Sequence, residues 1–203
     1  MNTLLIATHN QAKLTELKIS LNKYSKNKIR FLSLNDLKIS EEPEETGETF
    51  EANAKIKAEF YANLTNLPTI ADDGGLIVPV LNNEPGVKSR RWLGRESTDD
   101  ELINFTLSNL RSFNKNNRTA FLEVCLCYFN PKTKKLVFIQ EKIIGHIALK
   151  PTNKRINGYP FRALFIVDQF NKYYDELTEK EHEKVNHRLK AVRKLMKKIE
   201  SLI

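Results

Sequence analysis

"TLLIAT" near the start of the chain is a short apolar run bounded by polar residues, the pattern of a buried strand. In "HNQAKLTELKISLNKY", Leu14, Leu17 and Leu21 recur at helical spacing and Asn10 is placed to cap the helix. "IRFLSL" predicts a second strand, the acidic stretch "SEEPEETGET" a loop, and "TFEANAKIKAEFYANL" a helix capped by Thr49. "TIAD" and "LIVPVL" are strand-like on either side of a turn at "DDGG", and Pro79 places the second at an edge or a bulge. "TDDELINFTLSNLRSF" predicts a helix opened by Thr98, with early acidic residues that suit its dipole. Two long β segments, "TAFLEVCLCYFN" and "KLVFIQEKIIGHIAL", are joined by "PKTKK" as an antiparallel hairpin. "ALFIVD" is a further strand, and residues 178–202 read as a final helix. The order β-α-β-α-β-β-α-β-β-β-α predicts an α/β fold with a mixed sheet, built as one continuous domain over residues 1–203 with two lobes.

Composition narrows the class. The chain has 203 residues, 40% of them hydrophobic, and few glycines or prolines, as in an ordinary globular protein. No apolar run approaches the ~18 residues of a membrane span, and the amino-terminal stretch has no basic flank of a signal peptide. The expected address is cytoplasmic, without a membrane partner. Cys125 and Cys127 stand two apart in a strand, so they share a face and read as buried thiols; no second ligand pair completes a zinc site. The net charge of +8 favours polyanionic partners. Much of it is spread along "HRLKAVRKLMKK" without interleaved aromatics, which argues for a solvated helix face and against a stable nucleic-acid platform.

Four segments carry candidate chemistry. "ATHNQAK" runs from strand through a polar turn into a helix, which gathers backbone N–H groups at an anion site. Thr8 and Asn10 add side-chain hydrogen bonds there, and Lys13 sits in a first turn where the dipole disfavours a cation unless a phosphate lies beside it. In "EETGETFEANAKIK", Phe50, Asn53 and Lys57 share a helix face, the mixture expected of a helix lining a polar cleft, and Gly47 lets the loop bring Glu45 near the helix start; the alternative is a solvated acidic loop with a surface lysine. Asp72 and Asp73 end a strand with their side chains on opposite sides, one entering a cleft while the other caps the turn. Mg²⁺ takes one or two carboxylates and fills its shell with water and phosphate oxygens, so Glu45 and Asp73 are a candidate pair, with Lys13 and Lys57 neutralising a triphosphate. His182 and His187 are five apart, too far around a helix to share a metal. His187 and Arg188 stand where an amphipathic helix begins, with Asn186 as its cap; Arg188 offers a planar fork to a phosphate or a base, or forms a structural salt bridge.

Taken together, the ordered segments "LLIATHNQAKLTELK", "EETGETFEANAKIKA", "PTIADDGGLIVPVLNNEPGVKSRRW" and "NHRLKAV" resemble the inosine triphosphate pyrophosphatase family, over about residues 3–195. The resemblance implies an elongated, two-lobed α/β protein with a central mixed sheet flanked by helices, an active-site cleft between the lobes, and a homodimer. It implies Mg²⁺-dependent hydrolysis of non-canonical purine nucleoside triphosphates (inosine and xanthosine triphosphates and their deoxy forms) to the monophosphate and pyrophosphate. By matched position, Thr8, His9, Asn10, Lys13, Lys57 and Gly74 contact substrate, Glu45 and Asp73 hold metal, and Asp73 with Lys13 is catalytic, Asp72 supporting. His187 and Arg188, with Tyr159, Phe161 and Arg162, meet the base.

The chain departs from the family pattern in places. "GYPFRALF" stands where the family has Gly-Phe-Gly-Tyr-Asp-Pro, so Pro160, Phe161, Arg162 and Ala163 replace Gly, Tyr, Asp and Pro. Arg162 thus reverses the charge beside the base. His9 replaces a glycine, Gly74 a serine, Ala52 a glutamate, and His182 falls where lysine is usual. The phosphate and metal half is nearly intact and the base half is rebuilt. The leading expectation is pyrophosphohydrolysis of purine triphosphates; the alternatives are the same chemistry on another modified or pyrimidine base, or a nucleotide-binding homologue without turnover.

Overall fold

The computed structural model describes residues 2–26 and 29–200. Among the described residues, eight strands and five α-helices follow one another as β1 (Asn2–Ala7), α1 (Gln11–Tyr24), β2 (Ile29–Ser33), α2 (Phe50–Thr65), β3 (Thr69–Val78) and β4 (Glu84–Pro85). Then come α3 (Asp99–Asn109), β5 (Thr119–Phe129), β6 (Leu136–Ile147), β7 (Phe165–Val167), β8 (Lys172–Tyr173), α4 (Glu179–Val185) and α5 (His187–Ile199). The strands form one sheet in the order β2-β1-β3-β5-β6-β7-β8, with β4 paired to β3 off this path. It is mixed, as expected: β1 runs parallel to β2 and β3, whereas β3–β4, β6–β7 and β7–β8 are antiparallel. No described helix is long and apolar enough to cross a membrane.

The chain divides into two compact units. The first comprises Met1–Gly74, Val124–Glu141 and His187–Ile203. Its core is the periodic pattern of the sequence realised: Leu14, Leu17 and Leu21 of α1 pack with Leu4 and Ile6 of β1 and with Leu195 of α5. Side chains of this size each contribute about 1.5–3 kcal/mol when fully buried, so α1 and α5 are held on the sheet mainly by packing. Asn10 caps α1 through its side-chain oxygen, which accepts the Lys13 N–H, and Thr49 caps α2 by accepting the Ala52 N–H. Cys125 and Cys127 are both buried, and burial pushes the Cys127 thiol above its ordinary range.

The second unit comprises Gly75–Glu123 and Lys142–Asn186, with its own core around Leu76, Leu102, Leu122, Ile143, Phe165 and Val167. Thr98 and Glu101 close a reciprocal capping box at the start of α3. The end of α3 is tied down by Arg118, whose buried guanidinium donates to the carbonyls of Leu110, Phe113 and Ala148. Gly75 is required where it stands: a Cβ there would lie 2.0 Å from Ser89 Oγ, itself held by the Gly86 carbonyl at 2.6 Å.

Three expectations are corrected. "DDGG" is no turn; β3 runs unbroken through it, because the Asp72 and Asp73 charges are neutralised by cations from α1, α2 and α5. The strand ends at Val78, where Pro79 opens a 3-10 turn rather than continuing at an edge, and the partner strand is the two-residue β4. The final helix is two helices: Asn186, with φ −54° and ψ 110°, leaves the helical region and closes α4 by donating its N–H to the His182 carbonyl at 2.8 Å. Its expected last residues, 201 and 202, lie outside the described residues.

Candidate functional site

In the first unit, the side chains of consecutive strand residues pass to opposite sides of β3, and the two aspartates accordingly meet different partners. Asp72 is fully enclosed; its Oδ2 lies 3.4 Å from Lys13 Nζ and 3.1 Å from an Arg188 guanidinium nitrogen. Arg188 reaches on to Glu16 at 2.9 Å. Burial alone would raise the Asp72 carboxyl, but Lys13, then Arg188 and Lys57, overcome it and hold the pKa down to about 2. Asp72 is therefore a permanent anion that fixes Lys13 at the start of α1.

Asp73 faces Lys57 of α2. The Lys57 ammonium lies 3.3 Å from Asp73 Oδ1 and 3.0 Å from Glu45 Oε1, so it draws both carboxylates into one place. Burial opposes the Lys57 charge, but Asp73, then Glu45 and Asp72, outweigh it and keep the amine protonated with its pKa raised. Burial wins at Asp73, whose carboxyl is raised despite Lys57 and Lys13, with Glu45 and Asp72 adding to the shift. The second oxygen, Asp73 Oδ2, is buried and has no hydrogen-bond partner among the described residues. A buried carboxylate oxygen left unmatched is costly. The Asp73 carboxylate shares Lys57 with the half-buried carboxylate of Glu45, and two carboxylates are the hard oxygen donors a divalent cation uses.

Glu45 reaches this point because its loop is drawn against α2. Gly47 donates its N–H to Asn53 Oδ1 at 2.7 Å, and a Cβ at Gly47 would lie 2.6 Å from that same oxygen. Gly47→Ala is expected to push the loop off α2 and lower catalytic activity by about tenfold or more while the cores stay packed. Steady-state rates together with circular dichroism test this; full activity would show that the close approach does not place Glu45.

The turn after β1 carries the remaining phosphate candidates. Asn10 donates its N–H to Thr8 Oγ1 at 3.3 Å while its own side chain caps α1, so both polar side chains are set at the helix start. His9 turns away from that turn toward the acidic loop: its Nε2 lies 3.4 Å from the Glu41 carbonyl and 3.8 Å from Glu42 Oε1. Gly74 lies in β3 directly after Asp73. His187 is buried as the first residue of α5, next to Arg188.

The base-segment candidates lie in the second unit, in a 3-10 turn over Pro160–Ala163. The Arg162 guanidinium stacks 3.5 Å over the Tyr159 ring and 4.8 Å from the Tyr174 ring, and His182 meets Tyr174 edge-on. Phe161 belongs to the second core, against Trp92.

The structure thus brings Glu45, Lys57 and Asp73 together, and joins Asp72 to Lys13 and Arg188. Sequence reasoning gave no role to Glu16, Tyr61 or Ser89. Only Ser89 had a signal, its place in "PGVKSRR"; carboxylate and backbone anchors carry none.

Comparison with known proteins bears on what such an arrangement does. The Ham1 family profile matches residues 4–198. The chain is 36% identical over 201 residues to a dITP/XTP pyrophosphatase of Bacillus subtilis, covering 99% of this chain and 98% of the relative. It is 38% identical over 197 residues to the enzyme of that name from Elusimicrobium minutum, covering 97% and 98%. A solved HAM1 protein from Coxiella burnetii superposes with a TM-score of 0.85 at 30% identity, over 99% of this chain and 100% of that one. A dITP/XTP pyrophosphatase structure from Mycobacterium abscessus gives 0.75 at 33% identity, over 96% and 98%. A profile match over nearly the whole length, joined to relatives of this identity, places the chain in the Ham1 family.

Proposed function

We propose that the protein hydrolyses non-canonical purine nucleoside triphosphates, inosine and xanthosine triphosphates and their deoxy forms, to the monophosphate and pyrophosphate. The observation that carries this reading is Lys57, which holds Glu45 and Asp73 at 3.0 and 3.3 Å while the second oxygen of Asp73 stays buried and unmatched. The names of the full-length relatives, dITP/XTP pyrophosphatases, support the substrate class.

Glu45 and Asp73 would hold Mg²⁺, which when bound supplies positive charge against the polyphosphate. The rest of the work falls to the chain itself. Thr8, Asn10 and the N–H groups opening α1 receive phosphate oxygens, with Lys13 beside them, and Lys57 assists. Lys13 is pre-set, because Asp72 fixes its amine before any substrate arrives. Asp73 accepts the proton of the attacking water. Phosphoryl attack needs charge neutralisation and positioning of water more than a covalent nucleophile, and this set supplies both.

Base choice is assigned to the rebuilt segment, to Tyr159, Phe161 and Arg162. Donors facing a 6-oxo group would be left unpaired by adenine, a penalty of about 1–3 kcal/mol each. The stacking of Arg162 on the Tyr159 ring fixes its orientation, which supports a role for the rebuilt segment in base choice. A pyrophosphate-release assay over a panel of inosine, xanthosine, guanosine, adenosine and pyrimidine triphosphates tests the reading. Release is expected with the inosine and xanthosine triphosphates in preference to the guanosine and adenosine ones, lost on chelation and restored by Mg²⁺. Turnover confined to another base would replace the substrate assignment, and no turnover on any nucleotide would leave a binding protein.

A further inference from the structure

The acidic loop is attached to α2 at three points that climb the helix at intervals of four residues. Asn53 takes the Gly47 N–H, Lys57 takes the Glu45 carboxylate, and the Tyr61 hydroxyl donates to the Glu41 carbonyl at 2.9 Å. Residues four apart lie along one side of a helix, so a single edge of α2 receives the loop from Gly47 back to Glu41. The third point has a second arm. His9, from the turn after β1, brings Nε2 to 3.4 Å from the same Glu41 carbonyl and sets its ring edge-on to Tyr61, with centroids 6.2 Å apart. A carbonyl oxygen has two lone pairs, so one acceptor can serve both donors. Tyr61 itself is buried, and its hydroxyl, pushed up to about 12 by burial with Glu42 adding, stays protonated as a donor.

We propose that Tyr61 and His9 are positioning residues that strap the Glu41–Gly47 loop to α2 and to the turn after β1, thereby presetting Glu45 beside Asp73. Neither side chain need touch the reacting atoms. The histidine stands where the family pattern has glycine, so this second arm is a feature of the present chain rather than of the motif. The metal-related consequence rests on the function proposed above; the strap itself does not.

Tyr61→Phe removes one hydroxyl from a buried ring and leaves the exposed Glu41 carbonyl to water, so the protein remains folded. A Glu-specific protease acting on the metal-free protein reads the strap directly. Cleavage at Glu41, Glu44, Glu45 and Glu48 is expected to run about fivefold faster in Tyr61→Phe, the worth of one ordinary hydrogen bond. It is expected to accelerate in His9→Ala as well, with Glu123 in β5 spared in both. Mn²⁺ titration followed by electron paramagnetic resonance should show about fivefold weaker binding in Tyr61→Phe. In turnover, the Mg²⁺ concentration for half-maximal rate should rise while kcat at saturating Mg²⁺ stays within about twofold. Cleavage rates equal to wild type in both variants would overturn the strap. Accelerated cleavage with unchanged Mn²⁺ affinity would overturn the presetting of Glu45. A wild-type protein that binds no Mn²⁺ would sink the metal reading, and the cleavage rates would then judge the strap alone.

Discussion

Asp73→Asn is expected to lower pyrophosphate release by about 10²–10⁴-fold, the range for losing a positioned proton acceptor, while the protein still folds. Asparagine keeps the shape of the side chain and fills the same buried space, so no cavity opens in the first core. What it removes is one negative charge and one basic oxygen. Lys57 keeps Glu45 at 3.0 Å as counter-ion, so its ammonium is not stranded in the interior. The cost to stability is therefore confined to one exchanged contact, about 1–2 kcal/mol, while the proposed cation loses one of its two carboxylates and the attacking water loses its acceptor. Pyrophosphate release under saturating Mg²⁺, read beside a thermal melt, separates the two effects. An asparagine variant that releases pyrophosphate at the wild-type rate would remove Asp73 from the mechanism.

The prominence of Asp73 in the sequence shows what a sequence can and cannot reveal of such a site. Helices α1, α2 and α3 were legible because their starts are local chemistry: Asn10, Thr49 and Thr98 each cap within three residues of themselves. The turn expected at "DDGG" was wrong for the opposite reason. Adjacent aspartates and glycines favour turns locally, but the partners that let them lie within a strand come from far along the chain, Lys13 at one end and Arg188 at the other. A structural salt bridge is one of the two readings of Arg188 and is what the structure shows, but the same distance hid its partners, Glu16 and Asp72. Glu45, Lys57 and Asp73 could be grouped from the ordered motifs, which encode their association without showing the geometry. Tyr61 could not, because a hydroxyl on a backbone carbonyl needs no particular residue at the accepting end and so leaves no mark in the accepting segment.

Asp72→Asn carries the larger expected effect on stability. The Asp72 side chain is fully enclosed, Arg188 nearly so, and a single oxygen of Asp72 faces both Arg188 and Lys13. Desolvating such a group is favourable only while the opposing charges are present, and the depressed pKa near 2 shows that here they prevail. Converting the carboxylate to an amide strands cations in a site built for an anion, and removing one partner of a buried ion pair costs about 3–5 kcal/mol. Arg188 retains Glu16 at 2.9 Å, which places the expected loss at the lower end, near 3 kcal/mol. Lys13 has no second salt bridge among the described residues and would leave the start of α1 unset, so activity should fall together with stability. Urea denaturation measures the first and pyrophosphate release the second. The pattern distinguishes neighbouring aspartates: position 73 should lose rate with little stability, position 72 both. A loss below about 1 kcal/mol at position 72 would mean that water screens this pair as it does a surface bridge, and the preset Lys13 would have no anchor.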